Sequence, residues 1–240
     1  GSGVLRTPFD LALVKVEQAP RGLVILRGFR GGEEASWHVP PGVWGIEARP
    51  AFDADLLALY ELGRRRIAAG DLDAGAALWR SVLQALEEQA APEHISWLES
   101  RLGQAFAAAG RWPEADAAWE RAAHRLEAQA PSGAVQVLDE WGRMLGRRDA
   151  LDRSETCFRR ALQLEPAESL GMARTLNALG LIARQRHDLT AAEAFLPRAS
   201  AVQEKLAPGS LDLASSIGEL SVVATLRGDA AAAEEGFSKA

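Results

Sequence analysis

A Leu-Gly-like pair returns five times along this chain of 240 residues: Leu62-Gly63, Leu102-Gly103, Trp141-Gly142, Leu179-Gly180 and Leu220-Ser221. Nine residues after each Gly or Ser comes a turn position, at Leu72, Trp112, Leu151, Leu189 and Ala230. Breaker or capping residues precede most of these turns, as in Gly70-Asp71, Gly110-Arg111, His187-Asp188 and Gly228-Asp229. Gly can end one helix by adopting positive φ, and Asp can cap the next. Three residues past the turn stands a small side chain: Gly75, Ala115, Ser154, Ala192 or Ala233. Four further on stands a large apolar one: Trp79, Trp119, Phe158, Leu196 or Phe237. Spacings of three and four fall on one helical stripe. A small side chain lets two antiparallel helices approach, and the large neighbour fills the space between successive pairs. A period of this length is the signature of stacked helix pairs, each too small to bury its apolar face alone.

This pattern resembles the tetratricopeptide repeat over roughly residues 55–240. The turn positions lie 40, 39, 38 and 41 residues apart, longer than that family's usual period. Long repeats of this kind resemble the kinesin-light-chain style. The segment Glu204-Lys205-Leu206-Ala207-Pro208-Gly209-Ser210-Leu211-Asp212 is similar to the linker between such repeats. It also resembles bacterial arrays that sit beside a caspase-like peptidase domain. The resemblance implies an all-α, right-handed superhelical solenoid of about five helix pairs. Pro197 falls inside the second helix of the fourth pair and is expected to kink it. Residues 54–240 are expected to form the array, with its last repeat truncated at Ala240.

The first fifty residues have a different texture. Gly1-Ser2-Gly3 looks like a cloning scar, and 4–50 reads as a small separate segment. Leu23 to Gly28 reads as a buried strand, Gly31-Gly32 as a hairpin turn, and Ala35 to Val39 as the returning strand. Phe9 to Glu17 fits a helix face or a strand. The order of these pieces resembles the second half of a PDZ domain. The alternative is a β-hairpin cap over the first repeat, with Trp44 and Ile46 packing against it.

Composition narrows the function classes. A formal charge of −6 argues against a nucleic-acid partner, which needs clustered Lys and Arg. No run of ~18 apolar residues is present to span a membrane. The single cysteine, Cys157, fits a reducing compartment such as the cytoplasm, and its place beside Phe158 reads as a buried thiol. His38, His94, His124 and His187 are not at metal-ligand spacing, and neither a nucleophile elbow nor a phosphate loop occurs. No cofactor, metal or catalytic residue is expected, and the chain reads as a non-enzyme.

The expected function is a protein-interaction scaffold. The family resemblance implies a groove lined by the first helix of each pair, whose positions follow by counting from the Gly. Arg143, Arg174, Asn177 and Arg184 then gather across the third and fourth repeats. Guanidinium forks suit carboxylates and an Asn amide suits a peptide backbone, so an acidic peptide is the expected ligand. Pairing of these arginines with Asp139 or Glu140 is the alternative. Tyr60 and Trp97, with Leu57, make a second, apolar candidate at the start of the groove. Two other functions stay open: a regulatory region of a larger bacterial enzyme, a caspase-like peptidase or a kinase, and a homo-oligomer assembled through the exposed last repeat.

Overall fold

Short stretches of this sequence announce where helices must begin. Asp53, Asp71, Ser169, Asp188, Ser210 and Asp229 each accept a backbone N–H three residues on. That bond satisfies one of the donors a helix N-terminus leaves unpaired. Pro92, Pro113 and Pro131 open three other helices, where a missing N–H costs nothing. A computed structural model describes residues 4–42 and 44–240; Gly1-Ser2-Gly3, read above as a scar, lie outside the described residues.

Its elements are helix α1 (Pro8–Glu17), strands β1 (Val24–Arg30) and β2 (Glu33–Val39), then α2 (Ala54–Ala68), α3 (Leu72–Glu88), α4 (Pro92–Ala108), α5 (Trp112–Glu127), α6 (Pro131–Arg147), α7 (Leu151–Leu164), α8 (Leu170–Gln185), α9 (Leu189–Leu206), α10 (Leu211–Arg227) and α11 (Ala230–Lys239). The chain is all-α apart from one antiparallel hairpin, in which Val24 faces Val39 and Arg30 faces Glu33. Gly31 and Gly32 make its turn with φ of 63° and 91°, the backbone that matches strand twist. Phe9 to Glu17, open between helix and strand in the sequence, falls within helix α1.

The residues divide into two compact units. One takes residues up to Leu11 together with Ala48–Asp149, the other Ala12–Glu47 together with Ala150–Ala240. In the first unit each helix from α2 to α6 packs on the next, and in the second each from α7 to α11 does.

Within a pair the contact follows the stripe read from the sequence. Trp79 lies over Gly63, Trp119 over Gly103 and Leu196 over Gly180. These large side chains are 5%, 0% and 0% exposed, so the spaces between pairs are filled. Indole N–H groups are satisfied as burial demands: Trp79 Nε1 donates to the Tyr60 carbonyl at 3.0 Å and Trp141 Nε1 to Asp116 at 2.9 Å. Cys157 is buried, as expected. Helix α9 continues through Pro197 to Leu206.

A second regularity joins one repeat to the next. An arginine in the turn of each later repeat reaches the first turn of the second helix before it. Arg111 Nη1 meets Asp73 at 2.5 Å, and Arg148 stacks 4.2 Å above the Trp112 ring. Arg186 binds Asp152 and, at 2.7 Å, Glu155; Arg227 binds Glu193 at 3.1 Å and Thr190 at 3.0 Å. Single exposed pairs of this kind contribute about 0–1 kcal/mol each. Arg148, Arg186 and Arg227 recur six past their Gly or Ser, with Arg111 two positions later in its turn, and they fix how repeats meet more than they raise stability.

Candidate peptide-binding faces

The first helix of each pair carries the positions counted from its Gly, and the described side chains there are engaged in three different ways. At the start of the first unit, Phe52 precedes the cap residue Asp53 and turns back over α2 and α4. Its ring centroid lies 5.6 Å from Tyr60 and 6.3 Å from Trp97. Tyr60 also stacks on Trp79 at 5.5 Å, with 9° between the planes. Tyr60 and Trp97 are consequently 7% and 5% exposed, with Arg101 over the Trp97 face at 5.3 Å. Burial pushes the Tyr60 hydroxyl above its ordinary range. The fold itself spends these two aromatics. An aromatic just before an N-cap is the sequence signal that finds Phe52.

Further along the first unit, Gln136 is engaged by the N-terminal segment. Its amide Nε2 donates to the Phe9 carbonyl at 2.8 Å. The Phe9 ring stands 3.4 Å from where a Cβ on Gly133 would lie, so that Gly gives it room. In the second unit Glu17, the last residue of α1, accepts the N–H groups of Leu170 at 3.3 Å and Gly171 at 2.7 Å. A carboxylate there suits the positive end of the α8 dipole. Gly133 and Gly171 hold the same register, nine residues before Gly142 and Gly180. Lys15 reaches the Ile46 carbonyl at 2.6 Å, and Trp44 Nε1 donates to Pro40 at 2.8 Å.

The four polar candidates divide between the units. Arg143, on α6, pairs with Asp139 one turn earlier at 2.9 Å. Arg174, Asn177 and Arg184 share a stripe of α8 at helical spacings of three and seven. Arg184 Nε donates to Glu219 of α10 at 2.8 Å. The Asn177 Oδ1 is shielded from water and accepts no hydrogen bond from the described residues.

Glu140 behaves unlike its neighbour Asp139. It turns into the contact of α4, α5 and α6, accepting Trp119 Nε1 at 3.1 Å and Ser100 Oγ at 3.2 Å. Burial raises its carboxyl pKa, opposed by bonds from Gln104, Trp119 and Ser100. Glu99, 5% exposed, is raised by burial too, against the pull of Arg121 at 2.8 Å. A carboxyl whose folded pKa exceeds its unfolded one stabilises the fold fully at low pH. That contribution is lost as pH rises through the folded value. The Glu99→Gln/Glu140→Gln variant should therefore match the wild type below the unfolded value of 4.5 and exceed its melting temperature increasingly towards neutrality. Melting curves across that range check this, and a pH-independent difference would count against it.

Among the described residues no group of three or more His, Cys, Asp or Glu is placed to hold a metal. No described helix is long and apolar enough to cross a membrane. Repeated helix pairs of this length, with Gly in the first helix and the large residue of the second packed on it, define the tetratricopeptide-repeat fold. The chain has that fold.

Solved structures agree. BtubC (BKLC) from P. vanneervenii superposes with a TM-score of 0.60 at 21% identity, over 76% of this chain and 77% of that one. A putative kinesin light chain from Podosopora anserina, with nearly identical TPR-like repeats, gives 0.56 at 16% identity, over 77% and 92%. The MamA protein gives 0.53 at 15% identity, over 77% and 88%. At these identities the likeness is one of fold. No family model and no curated protein matches the sequence.

Proposed function

We propose that this chain is a non-catalytic interaction scaffold that holds an acidic peptide along α8, at Arg174, Asn177 and Arg184. The observation that carries this reading is the stripe of α8 that holds Arg174, Asn177 and Arg184 together, on which Arg184 already binds a carboxylate, that of Glu219, at 2.8 Å. The amide nitrogen of Asn177 can donate to a peptide carbonyl. Arg174 lies one turn before it and Arg184 two turns after, so guanidinium groups flank the amide on one stripe. An incoming carboxylate would exchange with Glu219 at Arg184, replacing one charge-assisted bond by another. The overall charge of −6 sets such a basic stripe apart from the rest of the surface.

The test is fluorescence anisotropy of the full chain against labelled Asp/Glu-rich peptides and Asn/Gln-substituted controls of equal length. Acidic peptides should bind and the controls should not. Arg174→Glu and Asn177→Ala should each weaken binding about tenfold or more, since a hydrogen bond to a charged group contributes roughly 1.5–3 kcal/mol. Equal melting temperatures must accompany that loss. Binding that both variants retain would place the peptide elsewhere.

A further inference from the structure

The stripe residue seven past each turn is buried after the first four turns and open after the fifth. Trp79, Trp119, Phe158 and Leu196 are 5%, 0%, 2% and 0% exposed, whereas Phe237 is 54% exposed. Leu226, near the end of α10, is exposed as well. The first pair shows the complementary gap. Leu62 is 38% exposed, while its register equivalents Leu102 and Leu179 are 2% and 1%. In the fifth pair the equivalent residue, Leu220, packs against the cluster of Ala183, Ala192, Leu196 and Val223, which includes the second helix of the pair before it. Leu62 has no such helix over it. It lines instead an open hollow with Arg66, Ala74, Ala77 and Leu78.

The polar register points the same way. The residue four past the turn is an acid in each of the last four pairs: Asp116, Glu155, Glu193 and Glu234. The first three each receive a donor from the following repeat: Trp141 Nε1, Arg186 and Arg227. Glu234 receives none among the described residues. The hollow beside Leu62 carries Arg66, whose side chain is 56% exposed and, among the described residues, reaches Asp71 at 3.5 Å. Arg66 stands one helical turn before the position that Arg186 and Arg227 hold in their own repeats.

We propose that these two faces are the halves of one inter-repeat interface, and that copies of this chain join head to tail. The α2–α3 face of one copy takes the α10–α11 face of the next, with Phe237 meeting the hollow at Leu62 and Glu234 meeting Arg66. The contact continues a packing mode used repeatedly within the chain, and it matches acid to base. Because it joins two different surfaces, it adds copies in series rather than closing a two-fold dimer. The α8 stripe takes no part in it, so the inference stands apart from the peptide-binding reading.

Sedimentation velocity of the full chain, from low micromolar to submillimolar concentration, tests it. The wild type should shift steadily to faster-sedimenting species. Leu62→Glu and Phe237→Glu each spoil one face at an exposed position, so each alone should stay monomeric with an unchanged melting temperature. Mixed, they should form a one-to-one dimer, because each keeps the face the other lacks. Glu234→Arg should weaken wild-type assembly, and adding Arg66→Glu chains to it should restore pairing. A wild type that stays monomeric throughout would overturn the proposal. So would assembly that survives both substitutions, or a mixture that fails to pair.

Discussion

Gly75→Val should cost about 3 kcal/mol, the upper part of the range for forcing bulk into a packed contact. A Cβ at Gly75 would stand 2.5 Å from Ile67 Cγ1, 2.8 Å from the Gly63 carbonyl oxygen and 3.0 Å from the Ile67 nitrogen. A side chain could swing aside, but two of these three atoms are backbone. The helices cross here with a glycine on each side, since a Cβ at Gly63 would in turn lie 3.0 Å from the Gly75 oxygen. Separating α2 from α3 would also loosen Trp79, which holds Tyr60 and, through it, Trp97 and Phe52. Alanine recovers about 1 kcal/mol of helix propensity and still meets the carbonyl, so Gly75→Ala should be destabilising too. The control has the opposite sign. At Gly218 of α10 nothing lies within 4 Å of an added Cβ. Gly218→Ala should therefore gain about 1 kcal/mol. Thermal melts and amide exchange across α2 and α3 separate the cases. Equal effects at the two glycines would show that propensity, not helix approach, decides.

That contrast also shows what was legible in the sequence. The five Gly or Ser positions and the large residues seven past each turn recur in fixed register, and the packing of Trp79, Trp119 and Leu196 follows that register. Covalent spacing determines it. Turn chemistry was readable for the same reason. Gly70 and Gly110 take φ of 88° and 75°, and where glycine is missing Asp149 and His187 take 60° and 59°. The candidate site was less legible, because a groove position states which way a residue faces and not what reaches it. Phe52 reaches Tyr60 and Trp97 from outside the repeat register. Phe9 reaches Gln136 across 127 positions of chain. Asp139 and Glu140 are adjacent in sequence, yet one holds Arg143 at the surface and the other accepts Trp119 inside. A helix turns successive residues by about 100°, so that difference follows once the neighbouring helices are placed, but not before.

Pro197→Ala should stabilise the chain by about 2 kcal/mol. Proline in a helix interior costs about 3 kcal/mol relative to alanine, by removing a donor and crowding the carbonyl four residues earlier. Its restriction of the unfolded chain returns up to about 1 kcal/mol. Here that carbonyl belongs to Glu193, whose carboxylate is held by Arg227. The proline ring itself is exposed, so alanine forfeits little packing. What keeps α9 together in spite of it is tertiary contact. Leu196 is fully buried over Gly180, Ala199 packs with Ala173 and Leu176, and Phe195 joins the Phe158 cluster. Burying one such side chain contributes about 1.5–3 kcal/mol, so a few of them exceed the proline penalty. For a chain of this size the gain corresponds to a rise of roughly 4–8 °C in melting temperature. A fall would have a definite meaning: the backbone that proline imposes near Glu193 would then be what seats Leu196 on Gly180, and the alanine helix would pull that contact apart. Pairing the variant with Leu196→Ala decides between them. Additive effects mean that the proline only destabilises the helix, while a Leu196→Ala cost that shrinks in the Pro197→Ala background ties the proline to the packing.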